Sequence, residues 1–137
     1  MPVIENAMKS KLEAGQNVYS FNIVSSRNIG IAGIAKECGF DWLFIDTEHN
    51  TMDLDTVSAI CMAALPSGIT PIVRVPGPES FHATRVLDGG AQGIIVPHVN
   101  TADEARSVVT NCKFPSIGHR SVTAAAPQLA FENMPAE

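Results

Sequence analysis

Asp41-Trp42-Leu43-Phe44-Ile45-Asp46-Thr47-Glu48-His49 decides how the rest of the chain is read. Four consecutive large apolar residues, Trp42 to Ile45, stand between Asp41 and Asp46. Such a run predicts a strand buried on both faces, the kind found in parallel sheets covered by helices. In those sheets ligands bind at the carboxyl edge, where loops converge on a rigid frame. Asp46, Glu48 and His49 arrive at that edge together. A carboxylate ahead of an imidazole, with a second acid between them, supplies a base, a group to orient it and a partner for a metal or a water.

Outward from this strand, the pattern alternates. Residues Met1 to Gly15 predict a short helix with Met8, Leu12 and Ala14 as apolar contacts, and Asn17 to Asn22 a first strand. Ser25 and Ser26 are candidate caps for a helix through Ile31, Ile34 and Ala35 to Cys38, stopped by Gly39. After the central strand, Asp53 or Thr51 starts a helix with Leu54, Val57, Ile60, Cys61 and Ala64 on one stripe, ended by Leu65-Pro66-Ser67-Gly68. Ile69 to Val73 predicts a third strand ending at Arg74, Glu79 to Leu87 a helix stopped by Gly89-Gly90, and Gly93 to Val96 a fourth strand ending at Pro97-His98. Thr101 and Glu104 have capping-box spacing for a last helix through Ala105, Val108 and Val109 to Cys112. A weak repeat aligns Gly39 to Asp46 with Gly90 to Pro97, each copy a helix-stop glycine followed by a buried strand.

Strand–helix alternation at a regular pitch argues for an α/β fold with a parallel sheet. Two architectures fit. A small doubly wound domain suits 137 residues, but its phosphate-cradling glycine loop is missing from Ile23-Val24-Ser25-Ser26-Arg27-Asn28. A (β/α)8 TIM barrel runs to about 250 residues, so residues 1–137 would be one domain holding roughly its first four β/α units. The tail fits that second reading, since Leu129, Phe131 and Met134 are apolar anchors with no further strand after them.

Composition sets the outer limits. With 45% hydrophobic and 17% charged residues the chain has ordinary globular character. A net charge of -5 argues against nucleic acid or an anionic membrane as the main partner. No apolar run approaches the roughly 18 residues of a membrane span, and the N-terminus lacks a signal peptide's apolar core, so a cytoplasmic protein is expected. Cys38, Cys61 and Cys112 are odd in number and lack C-x-x-C spacing; they are expected to be buried free thiols.

Arg74 ends the strand next to the central one. A guanidinium there matches a substrate carboxylate or forms a structural ion pair with Asp46 or Glu48, the anion role being preferred. His49 reads as a catalytic base or a solvated loop imidazole, and Asp46 as its orienting acid or a turn former. His98 has uncharged neighbours and less support. His82 and His119 are expected at the surface, and Asp88, Asp103 and Glu104 as solvated or capping acids.

Three segments together carry a resemblance: Gly39 through His49; Pro71-Ile72-Val73-Arg74-Val75-Pro76; and Gly90-Ala91-Gln92-Gly93-Ile94-Ile95-Val96-Pro97-His98-Val99. They resemble the HpcH/HpaI aldolase/citrate lyase family, in particular the metal-dependent class II pyruvate aldolases acting on 4-hydroxy-2-oxo acids. Pro115-Ser116-Ile117-Gly118-His119-Arg120 is similar to that family's Pro-Pro-x-Gly-x-Arg, with Ser116 in place of the second proline. The resemblance implies a (β/α)8 barrel, commonly oligomeric, in which a divalent cation (Mg, Mn or Co) and Arg74 stabilise a pyruvate enolate. It also implies His49 as the base acting through water, Asp46 as its dyad partner, and Glu48 reaching the metal through a water. The direct metal ligands, a glutamate and an aspartate at later strand ends, are expected beyond residue 137. On this reading the chain is a truncated or split aldolase that turns over slowly or not at all alone, and its expected partner is another copy of itself in a homo-oligomer or a complementing half barrel. A non-enzymatic half-barrel domain, or another 2-oxo acid or phosphoenolpyruvate-type barrel enzyme, is the alternative.

Overall fold

The computed structural model describes residues 3–123 and 125–132. Four strands, β1 (Ser20–Ile23), β2 (Trp42–Asp46), β3 (Thr70–Arg74) and β4 (Gly93–Ile95), form one sheet in the order β1-β2-β3-β4. Every pairing is parallel, with Phe44 beside Asn22 and Ile72, and Asp46 beside Arg74. Helices α2 (Ile31–Glu37), α3 (Leu54–Ser67) and α4 (Ser80–Asp88) make the crossovers, while α1 (Ala7–Glu13) precedes the sheet and α5 (Ala102–Cys112) follows it.

Successive side chains of a strand point to opposite faces, and the two faces of this sheet differ. Ile23, Leu43, Ile45 and Val73 point toward the helices and are buried against Ala32, Ala35, Val57, Ile60, Cys61, Ala64 and Val86. On the other face Trp42 and Phe44 are only half-buried, with Ile72 and Ile95 beside them. The expectation that β2 is buried on both faces is therefore corrected. Its apolar run satisfies one layer of helices, and the second face lines an open groove with Val18, Trp42, Ile72 and Ile95.

The helix stops are alike. Gly39, Gly68 and Gly90 all have left-handed φ values, 87°, 68° and 109°. The next residue donates back to the carbonyl five before it: Phe40 to Ala35 at 3.1 Å, Ile69 to Ala64 at 3.3 Å, Ala91 to Val86 at 3.1 Å. This is the Schellman closure that glycine permits without strain, and it gives the repeat seen in the sequence a third copy at Gly68. At Gly90 space is a second constraint, since a Cβ would lie 3.3 Å from that of Cys61.

Helix starts depart more from expectation. Asp53 caps α3 by accepting from Thr56 N at 2.7 Å, and Thr101 with Glu104 forms the expected capping box. By contrast α2 begins at Ile31 behind Gly30, and neither Ser25 nor Ser26 caps it. Their segment folds instead as a local turn, with Gly30 N donating to Asn28 Oδ1 at 2.9 Å. Short polar side chains that bond their own backbone compete with helix initiation in this way.

The amino end of the sheet is closed by α1. Its cap Asn6 accepts from Lys9 N at 3.0 Å, and Met8 N donates to Thr70 Oγ1 at 3.1 Å. Lys11 pairs with Asp41, which also accepts from Tyr19 N at 2.9 Å. Here polar anchoring replaces the expected apolar contacts, because Leu12 and Ala14 are exposed. At the other terminus a 3-10 turn (Pro127–Leu129) brings Gln128 Nε2 to Ala91 O at 2.8 Å, and Arg120 pairs with Asp88. Asp88 is thus an ion-pair partner and not simply solvated. Phe131 is exposed and does not anchor the tail; Met134 lies outside the described residues.

All three cysteines are free, but only Cys61 is buried; Cys38 is exposed and Cys112 half-buried. Desolvation pushes the Cys61 thiol up to about 12. No helix among the described residues is long and apolar enough to cross a membrane.

Candidate active site

At the carboxyl edge the three strand ends β2, β3 and β4 bring charged groups together. Asp46, the last residue of β2, faces Arg74, the last of β3, in direct register. Arg74 Nε donates to Asp46 Oδ1 at 2.9 Å and Nη2 to Oδ2 at 2.8 Å, a two-point fork. Such a planar pairing fixes orientation as well as supplying energy. Phe44 lies beneath the guanidinium, with its ring centroid 5.3 Å from Cζ. Arg74 keeps 26% of its side chain exposed, while Asp46 is buried. Both Asp46 oxygens are used by the fork, leaving Nη1 of Arg74 outside it.

The loop after β2 is tied down by the same two residues. Asp46 Oδ1 also accepts the backbone N–H of Glu48 at 3.0 Å and of His49 at 3.5 Å. Thr47 N donates to Arg74 O at 3.0 Å, its hydroxyl to the same carbonyl at 2.6 Å, and Asn50 Nδ2 donates to Asp46 O. Asp46 therefore does form a turn, one of the two readings its position allowed, and adds an ion pair to it.

Glu48 sits between the Arg74 guanidinium and the imidazoles of His98 and His49. Its Oε2 lies 3.2 Å from Arg74 Nε, and its Oε1 lies 3.0 Å from His98 Nε2 and 3.7 Å from His49 Nε2. The expected side-chain dyad of His49 with Asp46 is corrected by this geometry. The His49 ring turns outward with 70% of its surface exposed, and its near carboxylate is Glu48. Asp46 is already committed to Arg74. His98, given less support by its uncharged neighbours, joins the cluster; its position at a strand end on this edge was the available signal. His119 bonds Asn111 from an exposed position, and His82 is half-buried beside Glu79.

Arg74 holds the Asp46 carboxyl below the usual carboxylate range, aided by the Glu48 and His49 N–H groups, against the opposing effect of burial. A folded-state value below the unfolded one, about 3.9, means stability that is present above that pH and lost as pH falls through the folded value. Asp46→Asn is expected to cost about 1–3 kcal/mol at neutral pH and to flatten the acid limb of stability below about pH 4. Urea unfolding at a series of pH values checks both; an unchanged acid limb contradicts the assignment.

The cluster's carboxylates already have partners within the protein. Asp46 is consumed by Arg74, and Glu48 is shared between Arg74 and His98. Among the described residues no three His, Cys, Asp or Glu groups are arranged to hold a metal ion. These residues alone do not form a metal centre.

A parallel sheet in sequential strand order, with its helices packed on one face and its polar cluster at the carboxyl edge, fits four units of a β/α barrel. The chain belongs to the HpcH/HpaI aldolase/citrate lyase family, whose sequence profile matches residues 22–133. It is 44% identical over 136 residues to a 4-hydroxy-4-methyl-2-oxoglutarate aldolase of Hapsidospora irregularis, covering 98% of this chain and 50% of the relative. A hydroxypyruvate/pyruvate aldolase of Roseobacter denitrificans is 38% identical over 124 residues, covering 89% and 47%. The solved HpcH/HpaI aldolase of Desulfitobacterium hafniense superposes with a TM-score of 0.86 at 30% identity, covering 93% of this chain and 49% of that one. The chain thus spans about half the length of the curated relatives it matches.

Proposed function

We propose that this chain carries the acid–base and anion-binding part of a carbon–carbon lyase that cleaves 4-hydroxy-2-oxo acids to pyruvate and an aldehyde. The observation that carries the reading is the Asp46–Arg74 fork at the carboxyl edge, which pins a guanidinium while leaving Nη1 free of it. Family membership and the aldolase names of the relatives support the substrate class.

Removal of the C4 hydroxyl proton lets that oxygen form the aldehyde carbonyl as the C3–C4 bond breaks. The bonding pair passes to C3 and delocalises onto the C2 oxygen as an enolate, and a proton delivered to C3 then gives pyruvate. Arg74 donates from the pinned guanidinium to the oxygen where charge develops, the placement at which preorganised donors act most strongly. His49, exposed beside Glu48, takes and returns the proton through a water. In the family a divalent cation shares the task of holding the enolate. Its direct ligands are assigned to none of the described residues.

The same reading gives the open edges β1 and β4, and the half-exposed face at Trp42 and Phe44, a complementing set of β/α units from this or another polypeptide. The test is a coupled assay of pyruvate release from a 4-hydroxy-2-oxo acid, run on this chain and on the product of its whole reading frame. Activity that falls about 10²–10⁴-fold in His49→Ala is expected; activity indifferent to that change contradicts the assigned base.

A further inference from the structure

We propose that His98 is a positioning residue of this site, acting through Glu48 to hold the Arg74 guanidinium in place. The inference rests on the aldolase reading for its ligand, but its geometry stands independently. Glu48 follows β2 and His98 follows β4, so the side chains meet across the end of β3, where Arg74 lies between them.

Three features separate this arrangement from a casual surface contact. The first is enclosure, since the Glu48 side chain is only 11% exposed. A carboxylate withdrawn from water requires partners for its oxygens, and here Oε2 is turned to Arg74 and Oε1 to His98. The second is the backbone of His98, whose φ of 60° is left-handed. A non-glycine residue carries some strain in that conformation, which neighbouring contacts must offset. The third is a visible brace for that turn. Asn100 Nδ2 donates to His98 O at 2.8 Å, and Asn100 N donates to Glu104 Oε2 at 2.7 Å. Glu104 is the carboxylate of the α5 capping box. Support therefore runs from the start of α5 through the His98 turn and its ring to Glu48, and from Glu48 to Arg74.

The consequence is directional. His98 and His49 compete for the same Glu48 oxygen, at 3.0 and 3.7 Å. With His98 present, Glu48 is held toward β4, and its second oxygen stands 3.2 Å from Arg74 Nε as an ionic contact that shields this N–H on its bond to Asp46 Oδ1. Without it, Glu48 is free to turn to the exposed His49, and the guanidinium is left on the Asp46 fork alone. The ring does not need to touch substrate, and its 75% side-chain exposure makes its replacement mild for folding.

The experiment uses this chain and its His98→Ala, His98→Gln, Glu48→Gln and doubly substituted His98→Ala/Glu48→Gln forms. Two quantities are read by NMR: solvent exchange of the Arg74 Nε–H and affinity for pyruvate. His98→Ala is expected to speed that exchange and to weaken pyruvate by about three- to fivefold, the scale of a solvent-accessible charged contact. His98→Gln, which keeps an N–H donor, recovers most of both. The double variant matches Glu48→Gln alone, because the effect passes through Glu48. Exchange and affinity unchanged in His98→Ala, or effects of the two substitutions that multiply independently, overturn the proposal. If the unsubstituted chain takes up no pyruvate, the aldolase reading loses its ligand, while the exchange measurement still decides the role of His98.

Discussion

In the proposed lyase, Arg74→Ala is expected to lower kcat/KM for pyruvate release by about 10²–10³-fold, the usual loss when one preorganised donor to a developing oxyanion is removed. Three contacts make this residue the centre of the site: the fork to Asp46, the contact with Glu48, and Phe44 beneath its plane. Arg74→Lys should recover only part of the activity. An ammonium is a point charge without the planar fork, so it satisfies Asp46 or the substrate less well than both together. Removing the guanidinium also leaves a buried carboxylate at Asp46 unpaired, so thermal melts of each variant must accompany the kinetics. A fall confined to stability, with kcat/KM of the folded fraction unchanged, would assign Arg74 a structural role only.

Leu43→Ala is expected to destabilise the chain by about 3 kcal/mol, within the range for a large-to-small change in a closed core. Leu43 is 0% exposed on the helix-facing side of β2. Ile95→Ala, on the groove side of β4, should cost about 1 kcal/mol, since a half-exposed side chain loses less burial. The contrast is diagnostic of the uncovered face. In an assembly where complementing β/α units cover the groove, the cost of Ile95→Ala rises toward that of Leu43→Ala, whereas Leu43→Ala changes little. Equal costs in the isolated, monomeric chain would contradict the one-sided core.

Much of this architecture was legible because its determinants are local. Gly39, Gly68 and Gly90 sit where a left-handed residue must end a helix, and Asp53 and Thr101 carry the short side chains that cap one. The apolar run Trp42 to Ile45 located β2 correctly, with Asp46 as its terminal residue. The same run could not say whether both faces would be covered, because burial of Trp42 and Phe44 depends on what packs across the groove. Ser25 and Ser26 resemble caps for a similar reason: whether a serine bonds a helix end or its own turn is decided by the neighbouring Asn28 and Gly30.

The candidate site divides along the same line. Spacing put Asp46, Glu48, His49 and Arg74 at one edge, and they are there. Pairing within the cluster was readable only as an alternative, an ion pair of Arg74 with Asp46 or Glu48, because the choice depends on side-chain direction at the sheet edge. Register places Arg74 directly beside Asp46, which takes that carboxylate away from His49. His98 reaches Glu48 only through a left-handed turn, and the sequence Val96-Pro97-His98-Val99 gives no sign of one.

Whether the Asp46–Arg74 fork receives a 2-oxo acid is the point on which the enzymatic reading turns, and pyruvate titration followed by NMR addresses it directly. Saturable shifts centred on the Arg74 side chain are expected, with smaller ones at Phe44, Glu48 and His49, all abolished by Arg74→Ala while the fold persists. Shifts that map elsewhere, or that survive Arg74→Ala, would contradict it.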